Sequence, residues 1–352
     1  MHPAIVHDRR PPCWTRMLNI SALRFRNNNA NCFLMSKEYP KSCRKPPRLR
    51  AGGTIAVTAP ASPIKDREKL ARGLAYLESC GYRLVLGESL YAAEGYLAGS
   101  DAARADELSR FFANPDIEAI FCARGGYGTM RLLDLLDWDT IAGNPKIFVG
   151  FSDITALQWA LYVRAGIPSI SGPMVGVDFA DPDATQLSLF WSLLTEPTTG
   201  CTLWQGSPND QLSPGCTEGI LFAGTLTLAA ALCGTAFRPS AETAYVLLLE
   251  DIGEEPYRID RMLCQLLLTD VLPSAAGIAF GEFAEDTTRA TSTPKRPLET
   301  ILAEYIAKAG NPPAVMNLPY GHIRGKISAP IGLRVRLDAD RQQLLLLEPF
   351  VE

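Results

Sequence analysis

Residues 117–137 read IEAIFCARGGYGTMRLLDLLD, and residues 146–166 read KIFVGFSDITALQWALYVRAG. Each opens on a short apolar run, passes through a Gly-containing turn and continues with apolar residues at helical spacing. A buried strand feeding a helix is the reading of both. The pattern extends upstream. Thr54–Thr58 is an apolar run, and residues 65–82 place Leu70, Leu74 and Leu77 on one helical face, with Gly81 as a stop. RLVLGESL (83–90) reads as a strand, and residues 99–116 read as a helix capped by Ser100 or Asp101. Strands alternating with helices predict a parallel sheet covered by helices.

The pattern changes after the helix-like DATQLSLFWSLLTEP (183–197). Residues 198–218 are rich in Gly, Pro, Ser and Thr and read as a linker. Beyond it lie the apolar stretches GILFAGTLTLAAAL (219–232), AYVLLLEDI (244–252) and AAGIAFGEF (275–283), and two strands at Leu333–Leu337 and Gln343–Leu347 around the turn DADR, so this half is richer in strands. Helices are predicted at 258–270 and 298–310. The expected fold class is therefore α/β: an N-terminal parallel-sheet α/β domain over 51–197, joined by the linker to a C-terminal strand-rich α+β, barrel-like domain over 219–352.

The chain has 352 residues and a formal charge of −4. Residues 1–50 hold 11 Lys/Arg against 2 Asp/Glu, whereas the rest holds 23 against 36. An acidic body is a poor match for phosphate backbones, so no nucleic-acid partner is expected. The basic head has no sustained period, so residues 1–50 read as a disordered extension or the product of an upstream start, with Met17 or Met35 as starts. No uncharged apolar run reaches the roughly 18 residues of a membrane span, and no membrane partner is expected. The only histidines are His2, His7 and His322, too few for a multi-histidine zinc site. The nine Cys include no C-x-x-C pair and fit free thiols in a reducing, cytoplasmic compartment; Cys201 and Cys216 are a pair that export could bridge.

Four places hold residues suited to chemistry. In GFSDI, Ser152 stands at the tip between strand and helix, so its hydroxyl leaves the sheet while the Asp153 amide opens the helix and faces a developing oxyanion. The fifth position of that elbow is Ile154 rather than Gly, and from spacing alone Ser152 or Asp153 as a helix cap is the commoner pattern. In ARGGYG, the Gly125/Gly126 turn brings backbone amides close to a ligand, or simply makes a tight connection. Glu250 ends the apolar run Val246–Leu249, where a carboxylate needs a partner; Asp251, Glu254 and Glu255 compete with it. His322 lies in a Pro/Gly-rich loop and is the only histidine of the body. Together they fit one constellation: Ser152 as nucleophile, His322 as base, Glu250 as orienting acid, and the Asp153 and Gly125 amides as oxyanion donors. Gly126, Tyr127 and Arg131 in the same glycine-rich segment are candidate substrate contacts.

At these residues the sequence resembles the LD-carboxypeptidases, a serine peptidase family that also contains the microcin C self-immunity peptidases. The landmarks are TIAVTAPAS (54–62), GYLAGSDAARADEL (95–108), RGGYGTMRLL (124–133), GFSDITAL (150–157), SGPM (171–174), VLLLEDIGEEPYRIDRML (246–263) and LPYGH (318–322), within Gly53–Pro349. The resemblance implies a nucleophile domain whose acid and base come from the second domain, with Ser152, Glu250 and His322 as the triad. It implies release of the terminal D-Ala from a cytoplasmic murein tetrapeptide during cell-wall recycling, with no metal or organic cofactor, by an enzyme that forms a homodimer. The leaving D-Ala carries a carboxylate, so a nearby cation is expected among Arg124, Arg131, Arg258 and Arg261. One departure is FAGTLTL (222–228), where similar proteins read Gly-Gly-Asn-Leu: Gly224 and Thr225 stand for the second Gly and the Asn. The rival readings are a microcin-type substrate, a peptidyl-aminoacyl nucleotide needing an aromatic platform, and a non-catalytic peptide- or nucleotide-binding module.

Overall fold

The computed structural model describes residues 43–284 and 296–352, without the side chains of residues 184–186. Fourteen strands are present among them. The first five are β1 (Thr54–Thr58), β2 (Arg83–Leu86), β3 (Ala119–Cys122), β4 (Ile147–Gly150) and β5 (Ser169–Ser171). The next six are β6 (Cys201–Gln205), β7 (Gln211–Ser213), β8 (Cys216–Thr225), β9 (Tyr245–Ile252), β10 (Gly277–Ala284) and β11 (Ala314–Val315). The last three are β12 (Ala329–Ile331), β13 (Arg334–Asp338) and β14 (Gln343–Leu346). The helices are α1 (Arg67–Ser79), α2 (Asp101–Ala113), α3 (Trp138–Gly143), α4 (Thr155–Ala160), α5 (Ala184–Thr195), α6 (Leu226–Leu232), α7 (Pro256–Leu268) and α8 (Leu298–Lys308).

One sheet has the order β12-β5-β4-β3-β1-β2, parallel except for β12, which pairs antiparallel with β5. β1, β3 and β4 are buried at every position, as strands between two helical layers must be. The helices form where the caps dictate: Asp66 accepts from the Lys69 amide at α1, and Ser100 accepts from the Ala103 amide at α2. The helix expected over 129–137 is interrupted. A single 3₁₀ turn spans Thr129–Leu132, and Asp137 then caps α3 by accepting from the Thr140 amide at 3.0 Å.

The second sheet has the order β6-β14-β13-β8-β9-β10-β11-β7, with a parallel centre of β8, β9, β10 and β11. Flat, eight strands would measure about 34 Å across. The steps from Gln205 to Gln211 link its two outer strands and reach at most about 21 Å. The sheet therefore curls back on itself, although among the described residues no ladder closes it.

Three further features depart from the sequence reading. The stretch read as a linker, 198–218, contains β6, β7 and the start of β8; short edge strands bounded by Gly and Pro look like a loop in sequence. β12 leaves the C-terminal half to join the first sheet. Residues 43–50 are part of the folded body, not of an extension: Leu49 is buried and its amide donates to the Leu194 carbonyl, while Arg48 and Pro46 bond the terminal Glu352. The remainder of that reading, 1–42 with His2, His7, Met17 and Met35, lies outside the described residues.

Candidate active site

β4 ends at Gly150, and the chain turns sharply through Ser152, whose φ of +66° is left-handed for a residue with a Cβ. Such strain persists only where the surroundings impose it. Here a Cβ on Gly150 would sit 2.5 Å from Ile154 Cγ2. Gly150 thus gives Ile154 the room to pack down on the strand end, which is how the elbow dispenses with a second Gly. The helix that follows is pinned at both sides. The Gln158 amide donates to the Gly150 and Ile170 carbonyls at 3.3 and 2.7 Å, and the Trp159 indole donates to the Ala223 carbonyl of β8 at 2.9 Å.

His322 arrives from the other half of the chain. It lies on the connection that leaves β11 in the second sheet and enters β12 in the first, so the crossover itself carries the imidazole to Ser152. His322 Nε2 is 2.9 Å from Ser152 Oγ, and Nδ1 is 2.8 Å from Glu250 Oε2. With Glu250 ionised, Nδ1 must carry the proton and donate, which leaves Nε2 as the acceptor of the serine hydroxyl. The geometry therefore joins Ser152, His322 and Glu250 in one relay able to take a proton from a hydroxyl.

Glu250 is fully buried near the end of β9. Desolvation raises its pKa, and the His322 hydrogen bond opposes the shift. Its Oε1 has no partner among the described residues, nor does Oγ1 of Thr225, the residue opposite it on β8. Two of its sequence competitors are occupied elsewhere: Asp251 accepts from the Thr227 amide and hydroxyl at 2.7 Å, and Glu254 pairs with Arg258 at 3.7 Å. Glu255 stands at the N-cap position of α7 without a side-chain capping bond.

The glycine-rich turn lies against the serine. A Cβ on Gly125 would meet Ser152 Cβ at 2.8 Å and Oγ at 3.1 Å, so only Gly lets this backbone approach so closely. The Asp153 amide is among the first N–H groups of its helix, which have no acceptor within it. Asp153 Oδ2 accepts from the Thr129 amide at 2.9 Å, and the Thr129 hydroxyl donates back to the Asp153 carbonyl, which ties the end of the turn to the elbow. Burial raises the Asp153 pKa, against the Thr129 hydrogen bonds.

Two supports were not foreseen from sequence. Arg104, buried in α2, donates to the Pro60, Gly99 and Gly128 carbonyls and pairs with Asp101, so it holds three loops around the turn. Lys326 and Asp178 form a buried ion pair. Lys326 Nζ lies 4.8 Å from the Phe151 ring centre, the Phe151 ring is 4.9 Å from the His322 ring, and Asp178 Oδ2 accepts from the Met174 amide at 2.8 Å. In sequence, each of these charged residues looks like surface.

A cleft of about 450 Å³ opens over the relay, lined by Ile64, Lys65, Asp66, Arg124, Gly125, Gly126, Ser152, Met174, Gly176, Val177, Ile252 and His322. Gly126 is thus in the cleft wall. Tyr127 is exposed and meets Tyr96 edge-on, outside that lining. Arg131 also lies outside it, its guanidinium held by Asp101 at 2.6–2.9 Å. A residue close to a motif in sequence can thus be spent on a helix-end pair. Among the described residues no cluster of His, Cys, Asp or Glu is arranged to hold a metal ion, and no helix is long and apolar enough to cross a membrane.

Comparison with known proteins gives a family match in both halves. Residues 55–172 match the LD-carboxypeptidase N-terminal domain, and residues 218–337 match the LD-carboxypeptidase C-terminal domain. A murein tetrapeptide carboxypeptidase of Pseudomonas aeruginosa is 34% identical over 82% of this chain and 94% of its own length. The crystal structure of a muramoyltetrapeptide carboxypeptidase from Oxalobacter formigenes superposes with a TM-score of 0.72 at 31% identity, covering 83% of this chain and 97% of that one. The microcin C7 self-immunity protein MccF in its apo state superposes with a TM-score of 0.79 at 24% identity, over 88% of this chain and all of that one, a likeness of fold.

Proposed function

Because the chain belongs to the LD-carboxypeptidase family, we propose that it is a serine carboxypeptidase that hydrolyses the L,D-amide bond of a murein tetrapeptide and releases the terminal D-Ala. The observation that carries this reading is the continuous relay from Ser152 Oγ through His322 to Glu250, at 2.9 and 2.8 Å.

The geometry supports the following mechanism. His322 Nε2 takes the Ser152 proton as Oγ attacks the scissile carbonyl. Buried Glu250 holds the imidazole by its Nδ1 proton and stabilises the imidazolium. The Asp153 and Gly125 amides receive the oxyanion. His322 then protonates the leaving amine, the C–N bond breaks, and D-Ala departs. Water, deprotonated by His322, hydrolyses the acyl-enzyme and restores Ser152. General acid–base assistance contributes about 10²–10⁴-fold and one oxyanion donor about 10²–10³-fold.

Two further features support a peptide substrate in a reducing compartment. Among the described residues, the apolar lining of the cleft is aliphatic or thioether (Ile64, Met174, Val177 and Ile252), with no Trp, Tyr or Phe to stack on a nucleotide base. The seven described cysteines are free thiols, in keeping with the cytoplasm, where recycled murein peptides are processed. Purified protein offered L-Ala–D-Glu–diaminopimelate–D-Ala and, separately, a peptidyl-aminoacyl nucleotide tests the reading. Release of D-Ala with no cleavage of the nucleotide is expected; the reverse preference would replace murein with the microcin-type substrate.

A further inference from the structure

A carboxypeptidase must distinguish a chain end from a chain interior, and the end is marked by a carboxylate. Resting on the hydrolytic reading above, we propose that Arg124 is the residue that binds the C-terminal carboxylate of the substrate, on the leaving-group side of Ser152.

The other arginines offered by the sequence are placed elsewhere. Arg131 is bound to Asp101. Arg258 pairs with Glu254, and Arg261 lies against the Tyr257 ring beside a separate cavity on α7. Arg124 alone of the four lines the cleft with Ser152 and His322. Its side chain is held in place: Nε donates to the Gly125 carbonyl and Nη1 to the Pro63 carbonyl, both at 3.1 Å. Gly125 is the residue packed on Ser152, so the guanidinium is anchored one residue from the nucleophile's neighbour.

Those two bonds use two of the five N–H donors of a guanidinium. The remaining donors include both on Nη2, which lies 3.4 Å from where a Gly126 Cβ would stand, along the cleft wall. Among the described residues no carboxylate comes within salt-bridge distance of Arg124, although the group is half-buried and burial lowers its pKa. A desolvated, unpaired cation is costly, and a ligand carboxylate offsets that cost with a charge-assisted, two-pronged contact. The other charged groups of the cleft fit this role less well. Lys65 is exposed and solvated, and Asp66 is anionic and caps α1 through the Lys69 amide. Met174 and Val177 supply apolar surface suited to the methyl group of D-Ala.

The test compares L-Ala–D-Glu–diaminopimelate–D-Ala with its C-terminal carboxamide, which replaces the terminal carboxylate by a neutral group of the same size and one acceptor oxygen by an NH2 donor. Affinities are measured by calorimetry on full-length Ser152→Ala, so that binding is read without turnover. The free acid should bind about 10- to 100-fold more tightly, the range expected for hydrogen bonds to a charged group. Adding Arg124→Met should bring the ratio of the two affinities to about one, and Arg124→Gln, which keeps a donor for the loop carbonyls, should do the same. A ratio that survives in both variants, equal affinity in the parent, or no binding of the acid would overturn the assignment. D-Ala release by the native enzyme is scored separately. An Arg124-dependent preference without release keeps the carboxylate site and rejects the reaction.

Discussion

Glu250 is the residue at which stability and the proposed chemistry pull apart. Burial raises its pKa, so folding favours its neutral form. Its contribution to stability is therefore full below the unfolded carboxylate value, about 4.3, and is lost as pH rises through the folded value. Glu250→Gln does not titrate. Its melting temperature should gain on that of the wild type as pH is raised from acid to neutral, while kcat falls by about 10⁴-fold, as when the orienting acid of a triad becomes an amide. A gap that is flat or closes with pH in thermal scans would contradict the burial argument. Gly125→Ala places a methyl group 2.8 Å from Ser152 Cβ and 3.0 Å from the Phe151 carbonyl. It should lower kcat by about 10²-fold or more by displacing the turn and its amide; steady-state kinetics at unchanged fold content would check this. Ser152, Glu250 and His322 were legible because each stands at a break in a pattern: a strand-to-helix corner, a charge ending an apolar run, a single histidine in a Gly/Pro loop. Arg104, Asp178 and Lys326 were not, since nothing in a linear pattern separates a buried ion pair from a solvated one.

At the scale of elements, the loop between β11 and β12 has to hold an imidazole against a corner formed by another sheet. Lys326 and Asp178 pin that loop to the turn after β5, which also supplies Met174 and Val177 to the cleft. Lys326→Met leaves the Asp178 carboxylate buried without its cation, and should cost about 3–5 kcal/mol of stability in denaturant titrations. The double variant Lys326→Met/Asp178→Asn should recover most of that loss; if it is no more stable than Lys326→Met, the pair is not what holds the loop. Element types followed from periodicity where strands were long and buried. They were misread where competing local chemistry ruled, as at Asp137, which ends one helical run by capping another, and at β6 and β7, whose flanking Gly and Pro residues mask short strands.

At the scale of the molecule, the two halves are interleaved rather than strung in series, because β12 returns to the first sheet and the chain end folds back on residues 46–49. Composition separates an acidic body from a basic head, but it does not show that the last few residues of that head are packed. Pairing between distant segments leaves no mark on local pattern, which is why the crossover that delivers His322 was not legible in the sequence. A chain beginning at residue 50, compared with one beginning at residue 43, lacks buried Leu49 and the backbone bonds to Leu194 and Glu352. That should cost about 2–4 kcal/mol, and equal stability of the long and short chains would contradict the packing described for this segment. The proposed reaction also runs without a metal, so D-Ala release should be the same before and after dialysis against EDTA; loss that zinc restores would refute it.

The most direct test of the central claim is D-Ala release from L-Ala–D-Glu–diaminopimelate–D-Ala by the wild type, Ser152→Ala and His322→Ala, each shown to be folded. The relay predicts release by the wild type and a fall of about 10⁴-fold or more in both variants. Comparable release by either variant, or none by the wild type, would contradict it.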